Sequence, residues 1–187
     1  MLLTLLVAYS LRLMAAQVEG NTAAVATFTQ HTDAFVTLGK ASASREHKLI
    51  FAVQQRNTDK LPGMLLAVSD PASPSYGKHL TRSEVATLTA DPAATAAVVA
   101  FLTGTAGVRV IKASLHGEYV TAIAPLAVWG QMLATAFVRV GEVGTGGGRS
   151  AVRCLQYTLP PPLRSIVATI FNTVQVRPCL EASCSFP

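Results

Sequence analysis

Ser69-Asp70-Pro71-Ala72-Ser73-Pro74-Ser75-Tyr76-Gly77-Lys78-His79-Leu80-Thr81 is the stretch around which the rest of the chain arranges itself. Pro71 and Pro74 fix φ at two positions and remove two backbone donors. Asp70 and Ser73 each precede a proline, which pushes them out of the helical region. Their side chains cap local backbone groups as turn residues do. Gly77 supplies a position where the chain can take a positive φ. The segment therefore reads as a rigid, ordered loop that ends one helix and precedes another. Nothing in its chemistry names a ligand.

Upstream, Leu49, Phe51 and Val53 alternate with Lys48, Ile50, Ala52 and Gln54, which predicts a strand over His47 to Gln54. Asn57 is a good N-cap, with Asp59 in the first turn to suit the helix dipole. Leu61, Met64, Leu65 and Val68 then recur at helical spacing and predict an inward face. Pro62-Gly63 interrupts that helix, costing a hydrogen bond or delaying its start.

Downstream, Ser83, Glu84, Val85 and Leu88 make one or two helical turns. Asp91-Pro92 opens the next helix as N-cap and first residue. Ala96, Val99, Ala100 and Thr103 give its apolar face, and Gly104 and Gly107 end it. Val108 to Lys112 and Tyr119 to Ile123 alternate about a turn at Ser114 to Gly117, the pattern of an antiparallel hairpin. Pro125 opens a further helix with Leu126, Trp129, Leu133 and Ala134 inward, and Phe137 to Val140 is a short strand. Five glycines mark a loop over Gly141 to Ser150. Val152 to Thr158 is a strand stopped by Pro160-Pro161-Pro162. Leu163 to Val174 fits a short helix or an extended segment equally well. The order strand, helices, hairpin, helix, strand is that of a ferredoxin-like βαββαβ α+β fold with helical insertions. Its antiparallel sheet carries the helices on one face.

The chain has 187 residues, 50% of them hydrophobic and only 13% charged, enough for one domain with a core and unlike a disordered tail. The net charge is +5, but the 15 basic residues are scattered without aromatic interleaving, which argues against nucleic acid, and a surface complementary to an acidic partner protein explains the charge equally well. Met1 to Ala16 is an apolar segment followed by small residues, too short to span a bilayer, and residues 1–20 are expected to be a secretory signal peptide. Residues 21–46 are polar and small, and are expected to be a poorly ordered lead-in in which Val36 to Leu38 forms at most a short strand. Of the three cysteines, Cys179 and Cys184 are close enough to close a small disulfide loop in a secretory compartment, leaving Cys154 unpaired. No C-x-x-C spacing supports structural zinc.

Val68 to Thr81 resembles the activation (pro) domain of the sedolisin-type serine peptidases, whose pattern is close to V-S-D-P-x-S-P-x-Y-G-K-x-L-T, with every fixed position present. Phe51 to Asn57, F-A-V-Q-Q-R-N, is similar to that family's first strand and helix start. The resemblance extends over roughly Lys48 to Arg177 and is strongest up to Leu88. It implies the same ferredoxin-like fold for an activation domain over 47–177, followed by an exposed tail at 178–187 leading to a catalytic domain. It also implies a folding assistant and a pH-released inhibitor of that catalytic domain, in cis or in trans, in the secretory pathway, extracellular or lysosomal. Asp70, Pro71, Ser73, Pro74, Tyr76, Gly77, Lys78 and His79 are the motif residues expected at a partner interface. His79 is the first candidate for acid release, and Tyr76 is expected to pack the loop onto its neighbouring helices.

Chemistry of other kinds finds no support. Gly144 to Ser150 lacks the G-x-x-x-x-G-K-[ST] spacing of a phosphate loop and leads to a strand. His31, His47, His79 and His116 are isolated from one another. There is no G-x-S-x-G, and the family's S-G-T-S-A-S nucleophile motif and its calcium-binding aspartates are absent. No catalytic, metal or cofactor residue is expected, and no membrane contact after signal removal. A free-standing peptidase inhibitor and an unrelated ferredoxin-like binding module are the alternatives.

Overall fold

A computed structural model describes residues 26–27, 35–142 and 150–175. The expected signal segment, His31, most of the glycine loop, and Cys179 and Cys184 with the tail lie outside the described residues. The strands are β1 (Ala26–Thr27), β2 (Phe35–Lys40), β3 (Glu46–Val53), β4 (Arg109–Ala113), β5 (Tyr119–Pro125), β6 (Phe137–Glu142), β7 (Ser150–Cys154), β8 (Gln156–Tyr157) and β9 (Val167–Phe171). The helices are α1 (Leu61–Ser69), α2 (Arg82–Thr89), α3 (Pro92–Gly104) and α4 (Leu126–Met132).

The main sheet runs β4-β5-β3-β9, all antiparallel. Taken in chain order these are the second, third, first and fourth strands, the arrangement of a ferredoxin-like α+β sheet, as the sequence pattern predicts. The fourth strand is not Phe137 to Val140. That segment belongs to β6, which pairs with β2 and β7 in a second, three-stranded sheet. The fourth strand is β9, from the stretch whose apolar run left helix and strand undecided. Val167 and Ile170 are buried there, and Ile170 N–H donates to the Tyr157 hydroxyl at 3.0 Å. In the last part of the expected lead-in, the short strand read at Val36 to Leu38 is a six-residue one, Phe35–Lys40, because β6 offers it a partner edge across Val36↔Gly141 and Thr37↔Val140, while residues 21–25 and 28–34 lie outside the described residues. Periodicity within residues 21–46 could not reveal a partner a hundred residues away.

Asn57 does not cap a helix. It sits at φ 53, its side-chain amide donates to the Leu88 carbonyl at 2.9 Å, and a 3-10 turn at Thr58–Lys60 intervenes before α1. Pro62 thus falls in the first turn of α1, where its missing donor costs nothing. The inward face predicted for α1 is absent: the helix buries no residue, and Leu65 and Leu66 are 63% and 70% exposed. Thr81 closes a capping box with Glu84 at the start of α2, and Asp91 caps α3 by accepting from Ala94 N at 3.0 Å. The buried stripe of α3 is Ala94, Val98 and Leu102, not the Ala96, Val99, Ala100 and Thr103 of the sequence prediction. An alanine-rich helix presents several equally apolar stripes, and packing selects one.

The core joins Leu49, Phe51 and Val53 of β3 to Val120, Ala122 and Ala124 of β5, Ile170 of β9, the α3 stripe, and Leu126, Trp129 and Leu133 at α4. Phe137, Val152 and Cys154 of the second sheet and Tyr157 of β8, which pairs with β1, complete the same cluster. Trp129 is fully buried, with its ring 6.0 Å from Phe51 and its N–H donating to the His47 carbonyl at 2.8 Å. Ala134, expected inward, is exposed at φ 47, where the chain leaves α4.

Candidate functional site: the outer face of the main sheet

Strand register sorts the residues of the main sheet into two sets. Leu49, Phe51, Val120, Ala122 and Ile170 lie on the inner face with the core. The paired residues of the other set are Lys48↔Ile123, Ile50↔Thr121, Ala52↔Tyr119, Ile50↔Phe171 and Ala52↔Thr169, with Arg109↔Ile123 and Lys112↔Thr121 at the β4 edge. Opposed residues of an antiparallel pair share a face. The buried residues of α3 and α4 pack with the inner set, so the outer set faces away from those helices.

Apolar groups occupy the middle of this outer face. The rings of Tyr119 and Phe171 lie 6.2 Å apart, tilted by 56°, and both are exposed, at 45% and 37%. Ile50 and Ile123 are half-buried beside the small side chains of Thr121 and Ala52. Lys48, Arg109 and Lys112 are exposed around them, and Arg109 lies 3.7 Å from Glu46. Exposed aromatic groups flanked by charges are the kind of side chains that interfaces use. The cationic rim suits a partner with acidic groups.

The motif loop is a second exposed region. Asp70 accepts from Ala72 N at 2.9 Å, Ser73 Oγ from Ser75 N at 3.1 Å, and Gly77 N–H donates to the Val68 carbonyl at 2.9 Å with Gly77 at φ 71. The loop is thus held by its own bonds, as its prolines and turn residues predict. Pro71, Pro74, Lys78 and His79 are exposed. Tyr76, expected to pack the loop onto its neighbouring helices, is 56% exposed. Hydrogen bonds from Thr81 hold the Glu84 carboxyl below its ordinary range and fix the start of α2.

Among the described residues, no group of three His, Cys, Asp or Glu side chains comes together in a way that could hold a metal ion. Cys154 is buried, and burial pushes its thiol up to about 11, away from the thiolate a nucleophile needs. No described helix is long and apolar enough on its own to cross a membrane. The outer face escaped sequence reading because β3 and β5 look apolar on both sides. The available signal was the pairing of Lys48 with Ile50 at two-residue spacing against Leu49 and Phe51.

Residues 33–176 match the family model described as Pro-kumamolisin, activation domain. Over 54 residues the chain is 48% identical to tripeptidyl-peptidase 1 of Mus musculus and of Homo sapiens. It is 46% identical to that of Canis lupus familiaris over the same length. Each alignment takes in 29% of this chain and 10% of the relative, so the matched stretch spans about a tenth of those longer proteins.

Proposed function

The chain belongs to the Pro-kumamolisin activation-domain family, and from that membership we propose that it acts as the activation domain of a sedolisin-type serine peptidase, assisting the folding of the catalytic domain and holding it inactive. The match over residues 33–176 carries this reading, since it takes in both larger sheets and all four helices. The outer face of the main sheet is the surface we assign to the catalytic domain. Its exposed Tyr119 and Phe171 supply the anchor groups, and Lys48, Arg109 and Lys112 the rim. A domain tethered to its partner acts at an effective concentration of about millimolar, so an interface of modest affinity suffices to block a cleft. The loop from Asp70 to His79 serves as a rigid arm whose exposed Lys78 and His79 meet the partner's edge.

Catalysis is left to the partner, because the nucleophile motif of the peptidase family is absent from the sequence. The apolar segment at Met1 to Ala16 supports a secretory route, to the exterior or to a lysosome-like compartment. The test is inhibition in trans. The full 187-residue chain is titrated into a tripeptidyl-peptidase catalytic domain at a pH where that enzyme turns over substrate, and binding is measured separately at pH 7. We expect saturable inhibition and binding at micromolar concentration or below. Neither inhibition nor binding at tens of micromolar would contradict the reading.

A further inference from the structure

His47 is where the two larger sheets and α4 meet. It lies on β3 opposite Ala124, facing the core side. Its Nε2–H donates to the Asn172 carbonyl at 2.9 Å, and the Asn172 side-chain amide donates back to the Lys48 carbonyl at 3.1 Å. These two bonds fasten the residue just after β9 to the start of β3. The next residue, Thr173, is buried and accepts at its carbonyl from Cys154 N at 3.0 Å, joining β9 to β7. The His47 ring lies 5.8 Å from that of Phe137 on β6, and the His47 carbonyl receives the Trp129 N–H. The charged groups that face it are Arg45, in the turn before β3, and Arg153, on β7, both cations. From β6, α4 and the end of β9 it meets Phe137, Trp129 and Asn172, none of which titrates.

We propose that His47 is an acid-sensitive clasp: neutral, it ties β9 and the second sheet to β3, and protonated, it loosens that junction. A proton here adds a positive charge to a half-buried ring between an aromatic side chain and two arginines, with no carboxylate among the described residues acting on it. Burial is the main reason the ring resists protonation, and the two arginines add to it, while the hydrogen bond to Asn172 acts the other way. The folded-state pKa therefore lies below the ordinary 6.5. The unfolded chain binds the proton first. The clasp's contribution to stability is complete above about pH 6.5 and is lost as pH falls through the folded-state pKa. Phe171, one residue before Asn172, is an anchor of the outer face, so loosening β9 disturbs that face. This last consequence rests on the function proposed above, whereas the clasp itself does not.

His47→Gln keeps an amide donor for Asn172 and cannot titrate. The full chain and this variant are unfolded in urea at pH 7.5, 6.5, 5.5 and 5.0. In the same wild-type sample the His47 ring carbon–proton resonance is titrated by NMR. We expect the ring to titrate below 6.5, and the wild-type folding constant to fall more than the variant's, by up to about tenfold per pH unit inside the window. Amide protection at Phe171 to Thr173 falls with pH in the wild type only. Parallel pH dependence in both chains, or a ring that titrates at or above 6.5, would overturn the proposal. If the variant does not fold, the wild-type ring titration and amide protection decide the matter. Failure to bind a peptidase would count against the function proposed above and leave the clasp standing.

Discussion

Phe51→Ala measures whether the main sheet buries the face assigned to it. Phe51 is fully buried in the middle of β3, opposite Val120 on one side and Ile170 on the other. Its ring is 6.0 Å from that of Trp129. Truncating a buried phenylalanine costs about 3–5 kcal/mol through lost transfer energy and the cavity left behind. The ring pair with Trp129 places this site toward the upper end. A domain of this kind has roughly 5–15 kcal/mol in all, so the loss is a large share of it. With a urea slope of about 2 kcal/mol per M, the unfolding midpoint falls by about 2 M. Trp129 is the only tryptophan in the sequence, so its fluorescence reports the core directly. Phe171→Ala is the matched control, on the same sheet but on the outer face, and should cost about 1 kcal/mol or less. The reasoning fails if Phe51→Ala loses less than about 1 kcal/mol, or if the two substitutions cost the same.

Gly117→Ala tests the hairpin turn. Gly117 has φ +76, and an added Cβ would lie 2.7 Å from Thr95 Oγ1, the hydroxyl that donates to the Gly117 carbonyl at 2.9 Å. We expect a loss of about 2 kcal/mol or more in urea unfolding, and an unchanged midpoint would contradict the turn as described. Cys154, with its thiol at about 11 and no exposure, should resist iodoacetamide at pH 8 in the folded chain and react in urea. Peptide mapping that finds equal labelling in both conditions would refute its burial.

Local chemistry made much of this fold legible. Asp91-Pro92, the hairpin at Ser114 to Gly117 and the helix after Pro125 carry their own start and stop signals, and each forms where those signals lie. The loop from Asp70 to Gly77 has its bonds within itself, so its rigidity could also be read locally. What depended on distant partners could not. β2 exists because β6 pairs with it, and β9 becomes the fourth strand because β3 and Tyr157 accept it. Asn57 looks like a cap until Leu88 takes its side chain. The candidate face was hidden for the same reason. Tyr119 and Phe171 are 52 residues apart and meet only through β3, which separates their strands. The motif loop, by contrast, identified the family from residues adjacent in the sequence.

The central claim is that this domain holds a peptidase catalytic domain through the outer face of its main sheet. The most direct measurement compares the full chain with Tyr119→Glu/Phe171→Glu in binding a tripeptidyl-peptidase catalytic domain at pH 7, with urea unfolding of both chains alongside. Both substituted side chains are exposed, so folding should survive. The account predicts that the wild type binds and that the variant loses at least tenfold in affinity. A folded variant that binds as tightly as the wild type would contradict it.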